Sequence, residues 1–197
     1  MGGDMVTREE AWRLLTEHNK EPEHIKHAIA VEAAMRAYAR KFGEDEELWG
    51  IVGLIHDVDY EEHPTMGPGE HPFAGAQMLE DLGWPAEIVR AVRSHANYSG
   101  VPRQTPLEKT LFAVDELTGL VIAVALVRPS KNIADVEVKS VRKKWKDKAF
   151  ARAVNREEIE QGAAELGVDL EEHIATVIEA LKPVAAQLGI DGSLAQG

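Results

Sequence analysis

The chain has 197 residues, 44% of them apolar and 28% charged, with a formal net charge of −12. That length and balance suit one sizeable domain, or one with an appendage, around a real core. The acidic surplus speaks against a nucleic-acid polymer or an anionic membrane as partner, and the lack of cysteine removes disulfides, thiolate nucleophiles, iron–sulfur clusters and cysteine-ligated zinc.

Taken in order, nearly every segment reads as helix. The opening MGGDMVTREEAW is polar and unlike a signal peptide, so a cytoplasmic enzyme or binding protein is expected. Thr7 can cap a first short helix, with Glu10 at the capping-box spacing. Pro22 stands near the start of a second, which runs to Phe42 before Gly43 stops it. A third, residues 45–56, is apolar almost all round (Leu48, Trp49, Ile51, Val52, Leu54, Ile55), as a buried central helix is. The loop at 58–70, with its prolines and glycines, reads equally as a lid or a plain connector.

Pro72 can occupy the first turn of a fourth helix that ends at Gly83, and Pro85 starts a fifth reaching His95. After NYSGVPRQTP, Thr105 and Pro106 cap and begin a long sixth helix to Val127, closed by Pro129. Its uninterrupted apolar run, 117–127, is too short to span a bilayer. Asn155 and Asp169 each precede a glutamate by three residues, so further helices start there. The basic run at 139–148 reads as a solvated helical face. The expected fold is an all-α bundle of about seven to nine helices, with residues 1–135 as the core and 136–197 as a helical extension packed on it.

The residues that carry chemistry are histidines and acids. His56 and Asp57 close a helix with almost no polar face, and no Lys or Arg lies near them in sequence to offset a buried charge. His27 shares a helical stripe with Val31, Ala34 and Tyr38, although a lone histidine on such a face is usually a hydrogen-bonded core residue. Asp115, in LFAVDELTGLV, sits mid-helix among apolar residues, where a carboxylate calls for a salt bridge or a metal. His95 ends a stripe with Ile88 and Val92, and His71 precedes Pro72; each alone can be a cap or a surface residue. His18, His63 and His173 lie in polar or charged surroundings and read as surface residues. Together, several helices each deliver a His or Asp from an apolar face, the way helix bundles build sites for borderline divalent metals.

This ordered set resembles the HD-domain metal-dependent phosphohydrolases. The matching residues are His27 in HAIAVEAAM, His56-Asp57 in LIHDVDY and Asp115 in LFAVDELTGL. His71 in EHPFAGA and His95 in VRSHAN match the two extra histidines of the two-metal subfamilies. The resemblance covers about residues 23–126, and the whole chain looks like the small bacterial HD hydrolases. It implies a helical HD-domain bundle that hydrolyses a small phosphate ester, a nucleotide or related metabolite, by metal-activated hydroxide. It implies one or two divalent metals per chain, with Mn, Fe, Co, Mg and Ni not distinguished. His27, His56, Asp57 and Asp115 would surround one metal, and Asp57 would bridge to a second held by His71 and His95. His56 and Asp57 would be the catalytic pair.

One position departs from the related pattern. Dinuclear relatives often carry a lysine three places after the HD aspartate, and here that place holds Tyr60. Tyr60, Arg93, Lys109, Arg128 and Lys131 are the candidate substrate contacts, although each of the four cations reads more readily as a solvated surface charge. A dinuclear iron oxygenase acting on a polyol would use the same six ligands, and a non-catalytic nucleotide sensor would keep the fold. The oligomeric state is open.

Overall fold

Thr7, Asp45, Thr105, Asn155 and Asp169 each accept a hydrogen bond from the backbone N–H three residues on, and each starts a helix. A computed structural model of the chain describes residues 5–195. Its helices are α1 (Arg8–His18), α2 (Pro22–Phe42), α3 (Glu46–Ile55), α4 (Phe73–Asp81), α5 (Ala86–Ser94), α6 (Pro106–Val127), α7 (Val138–Trp145), α8 (Arg156–Leu166) and α9 (Leu170–Leu181). A single turn, α10 (Ala185–Leu188), follows. Among the described residues there is no strand, and the fold is the all-α bundle expected from the sequence pattern. Gly43 and Gly167 end α2 and α8 in the left-handed region, where the missing Cβ removes the steric cost.

The two longest helices, α2 and α6, form the centre. α3 and α9 pack on α2, and α8, α5 and α9 pack on α6. One apolar core runs from Leu15, Val31 and Leu54 through Leu117 and Leu120 to Ile159, Ile174 and Leu181. Burying one such leucine contributes about 2 kcal/mol. Because Ile159, Ile174 and Leu181 belong to that core, the segment after residue 135 is part of the same packing unit.

Two glycines allow helices to approach closely near the carboxylates and histidines. A Cβ on Gly53 would lie 2.8 Å from the Val31 carbonyl oxygen and 2.9 Å from Glu32 Cα, so the α3 backbone rests on the α2 backbone. A Cβ on Gly162 would lie 2.6 Å from Ala113 Cα, which brings α8 against α6 two residues before Asp115. His56 is one turn beyond Gly53, and His27 is one turn before Val31.

Four expectations are corrected. At 22 residues, α6 is long and apolar enough to cross a membrane, because the helix runs unbroken through Asp115 and Glu116. Its surroundings are other helices of the bundle, as for a core helix. Pro72 stands at the N-cap of α4 rather than in its first turn. Ile55 ends α3 one residue early, leaving His56 as its C-cap.

The fourth correction concerns His173, which is fully buried rather than at the surface. It accepts from the Tyr38 hydroxyl at Nδ1 (2.5 Å) and donates from Nε2 to the Ala113 carbonyl (2.7 Å). Those bonds tie α9 to α2 and α6, and the neutral ring they require satisfies its own burial. The charged neighbours Glu171 and Glu172 suggest solvent, and both are exposed, but the side chain of His173 turns inward with Ile174 and Val177.

The connection from α3 to α4 is a chain of turns held from both sides. Glu61 accepts from the backbone N–H of Lys20 and of Glu21 and pairs with His24, while Glu62 pairs with His18 at 2.6 Å. Asn19 donates to the Val58 carbonyl at 3.0 Å. This anchors the segment to the α1–α2 turn.

Candidate metal centre

His56 is fully buried at the C-terminus of α3. Its Nδ1 donates to the Gly53 carbonyl at 2.7 Å, which leaves Nε2 facing inward. That Nε2 lies 3.2 Å from Asp115 Oδ1 and 3.2 Å from His27 Nε2. His27 Nε2 in turn lies 2.9 Å from Asp115 Oδ1 and 3.3 Å from Asp57 Oδ2. Ligand atoms of His27, His56, Asp57 and Asp115 all fall within 4.8 Å of one another.

Asp57 belongs to a second set with His71 and His95. Its Oδ2 faces His27 and His56, each at 3.3 Å, while its Oδ1 lies 3.1 Å from His95 Nε2 and 3.5 Å from His71 Nε2. One carboxylate thus turns one oxygen to each group. His95 donates from Nδ1 to the Val92 carbonyl, and His71 donates from Nδ1 to Asp59 Oδ1 at 2.7 Å. In three of the four histidines Nδ1 is therefore spoken for and Nε2 is left to the centre, which is how metal-ligating imidazoles are oriented.

The electrostatics point the same way. Burial pushes the His27 imidazolium down, but its hydrogen bonds to Asp115 and Asp57 prevail and raise it to about 9. For His56, burial is likewise overcome by the charges of Asp57 and Asp115, and its pKa rises well above the usual histidine value. Burial would raise the two carboxyls, yet the charge of His56 and the bonds from His27 hold both Asp57 and Asp115 below the ordinary carboxylate range. Two imidazole nitrogens 3.2 Å apart, backed by two ionised carboxylates, make a place for positive charge. The donors are all nitrogen and oxygen, which suits first-row divalent metals and Mg²⁺ without distinguishing them. The residues present therefore fit a divalent metal.

Above the donors is a cavity of about 510 Å³. Tyr60, 39% exposed, stands at its rim with its ring edge-on to His24 and His71. Asn97 and Tyr98 come from the turn after α5, Glu116 from α6, Val154 from the turn before α8 and Glu158 from its first turn. Burial and the neighbouring Asp115 raise the Glu116 carboxyl to about 7. Arg103 braces this side. It lies 3.6 Å above the Phe112 ring and donates to Glu165 of α8, to the Ser94 carbonyl and to Asn97.

The structure places the other candidate contacts elsewhere. Arg93 pairs with Glu80 at 3.2 Å and does not line the cavity. Lys109 precedes Asp115 by six residues, which turns it about 120° away around α6. Arg128 and Lys131 lie beyond the end of α6, about 20 Å along the helix from Asp115. There Lys131 Nζ donates to the Leu126 carbonyl at 3.0 Å, closing the helix.

Sequence reasoning missed Asp59, Asn97, Tyr98, Glu116 and Glu158. Asp59 is fully buried, and its two oxygens accept from His71 and from the Gly75 N–H. Its only sequence signal is the alternation in HDVDY. Glu158 reads locally as the third residue of a capped helix, and nothing nearby in sequence tells of the cavity.

A family model described as the HD domain matches residues 25–120, a span that contains all six donors. Comparison with curated proteins and with solved structures finds no match.

Proposed function

We propose, on the premise that residues 25–120 form an HD domain, that the protein is a metal-dependent hydrolase of a small phosphate ester, a nucleotide or related metabolite. The observation that carries this reading is Asp57, with one oxygen toward His27 and His56 and the other toward His71 and His95. His27, His56, Asp57 and Asp115 would hold one divalent cation, and Asp57, His71 and His95 a second. Bound there, the cations would lower the pKa of a coordinated water and offset phosphoryl charge.

The chain's own groups set the conditions. His56, with Nδ1 fixed on Gly53, keeps Nε2 in one orientation, and Asp59 does the same for His71. Asp57 couples the two sets, so its loss would disrupt both. Tyr60 at the rim can donate its hydroxyl to a phosphate oxygen without adding charge.

Alanine at Asp57 or Asp115 tests the reading. Each variant is expected to lose metal content, measured by elemental analysis, together with phosphatase activity. Retention of both would end it. A second reading, an iron oxygenase acting on a polyol, draws on the same donors, and a cavity wall with no lysine or arginine among the described residues is the observation on its side. Iron-dependent oxygen uptake with a polyol, without release of phosphate from any ester, would favour it.

A further inference from the structure

The wall of the metal-centre cavity is unusual in charge. Beyond His27, Asp57, His71, His95 and Asp115 it presents His24, Tyr60, Asn97, Tyr98, Glu116 and Glu158, with small or apolar side chains between them. Among the described residues no lysine or arginine lines it. Arg93, Arg103 and Lys131 are committed elsewhere: to Glu80, to Glu165 and to the end of α6.

The two glutamates are held in place. Glu158 Oε1 accepts from Asn97 at 3.4 Å, and Glu116 Oε2 accepts from the Asn155 N–H at 3.2 Å. Glu158 lines the same cavity as Asp115 and His95, one residue from each donor set. A cavity of about 510 Å³ with a convergent donor set at its floor admits a small metabolite.

Charge balance then selects the substrate. Were both donor sets to hold a divalent cation, Asp57 and Asp115 would leave two positive charges for the substrate and the activated water to offset, enough for one phosphomonoester and not for a polyphosphate chain. Glu116 and Glu158 place carboxyl oxygens on the opposite wall, and among the described residues no lysine or arginine there pairs with them directly: Arg103 stands behind Asn97, bound to Glu165. A polyphosphate would bring further negative charge to that wall, whereas an ammonium group would answer it.

We propose that the substrate is a small phosphomonoester whose organic part carries a primary ammonium group received by Glu116 and Glu158, and that nucleoside polyphosphates are not substrates. This rests on the hydrolase reading above. In the reaction the oxygen of water bonds to phosphorus and the ester P–O bond breaks. The proton from water ends on the departing alkoxide, giving inorganic phosphate and an amino alcohol.

The test uses the full chain loaded with Mn²⁺ and three probes: O-phosphoethanolamine, propyl phosphate (the same shape without the charge) and ATP. kcat/KM for O-phosphoethanolamine is expected to exceed that for either other probe by about 100-fold. In Glu158→Gln, the ratio of O-phosphoethanolamine to propyl phosphate is expected to fall about tenfold, through KM. A general loss of folding would lower both rates and leave that ratio standing. Equal turnover of the two monoesters, preference for ATP, or an unchanged ratio in Glu158→Gln would each overturn the inference while leaving the hydrolase reading intact. If the metal-loaded chain hydrolyses none of these nor any other phosphate ester, the hydrolase reading fails and the inference with it.

Discussion

Asp59 Oδ1 accepts a 2.7 Å hydrogen bond from His71 Nδ1 at a depth where Asp59 has no solvent exposure at all. Its other oxygen accepts from the Gly75 N–H at 2.8 Å, so α4 and the turn after α3 both anchor the carboxylate. Asp59 therefore fixes the tautomer and direction of His71. Asp59→Asn is expected to weaken metal binding at the Asp57, His71 and His95 set by about 10- to 100-fold. The set formed by His27, His56, Asp57 and Asp115 should keep its affinity. Calorimetric titration with Mn²⁺ of each protein would show this as selective weakening of one binding class; two unchanged classes would refute it.

Gly53 controls how near α3 comes to α2. A Cβ there meets backbone, Val31 O at 2.8 Å and Glu32 Cα at 2.9 Å, and backbone cannot swing aside. Gly53→Ala should cost about 1–3 kcal/mol, or a fall in Tm of roughly 2–12 °C for a chain of this size. It should also part His56 from His27 and so reduce metal affinity. Gly50→Ala is the control. The atoms nearest its Cβ belong to the Arg36 guanidinium, the end of a flexible side chain that can shift against Glu32 and Glu47, and alanine regains helix propensity. Thermal unfolding that found the two variants equally stable would contradict this account.

His173 makes stability depend on pH in a definite direction. Burial lowers its pKa from the ordinary 6.5, because the folded protein keeps the ring neutral between Tyr38 and the Ala113 carbonyl. A base with a lowered folded pKa contributes fully above its unfolded value, and that contribution is lost as pH falls below about 6.5. From pH 7.5 to 5.5, the wild-type Tm should therefore drop more than that of His173→Gln, both measured in the same metal state. Parallel pH profiles would show that this histidine is not responsible.

How much of this was legible beforehand varied with the range of the interaction. Helix starts were readable because a cap is a contact across three residues: Thr105 and Pro106 announce α6 to the residue, and Pro22 with Gly43 brackets α2. Inward helix faces were readable from periodicity, which set His27 beside Val31 and Ala34 and marked Asp115 as out of place. His173 defeated the same logic, since two glutamates before it masked an apolar stripe with Ile174 and Val177. The candidate phosphate contacts Arg93, Lys109, Arg128 and Lys131 were chosen by nearness in sequence, and along a helix such nearness does not give direction.

The sequence by itself determined the helices, their caps and the order of six metal-type donors on faces turned from solvent, because those features depend on neighbours within a turn or two. Only the tertiary structure decided that Asp57 faces two groups at once, that Asp59 steers His71, and that Glu158 of α8 looks onto donors more than forty residues away in the chain. Those relations depend on how closely backbones pass, at Gly53 against Val31 and Gly162 against Ala113, and no local pattern encodes the distance between two helices.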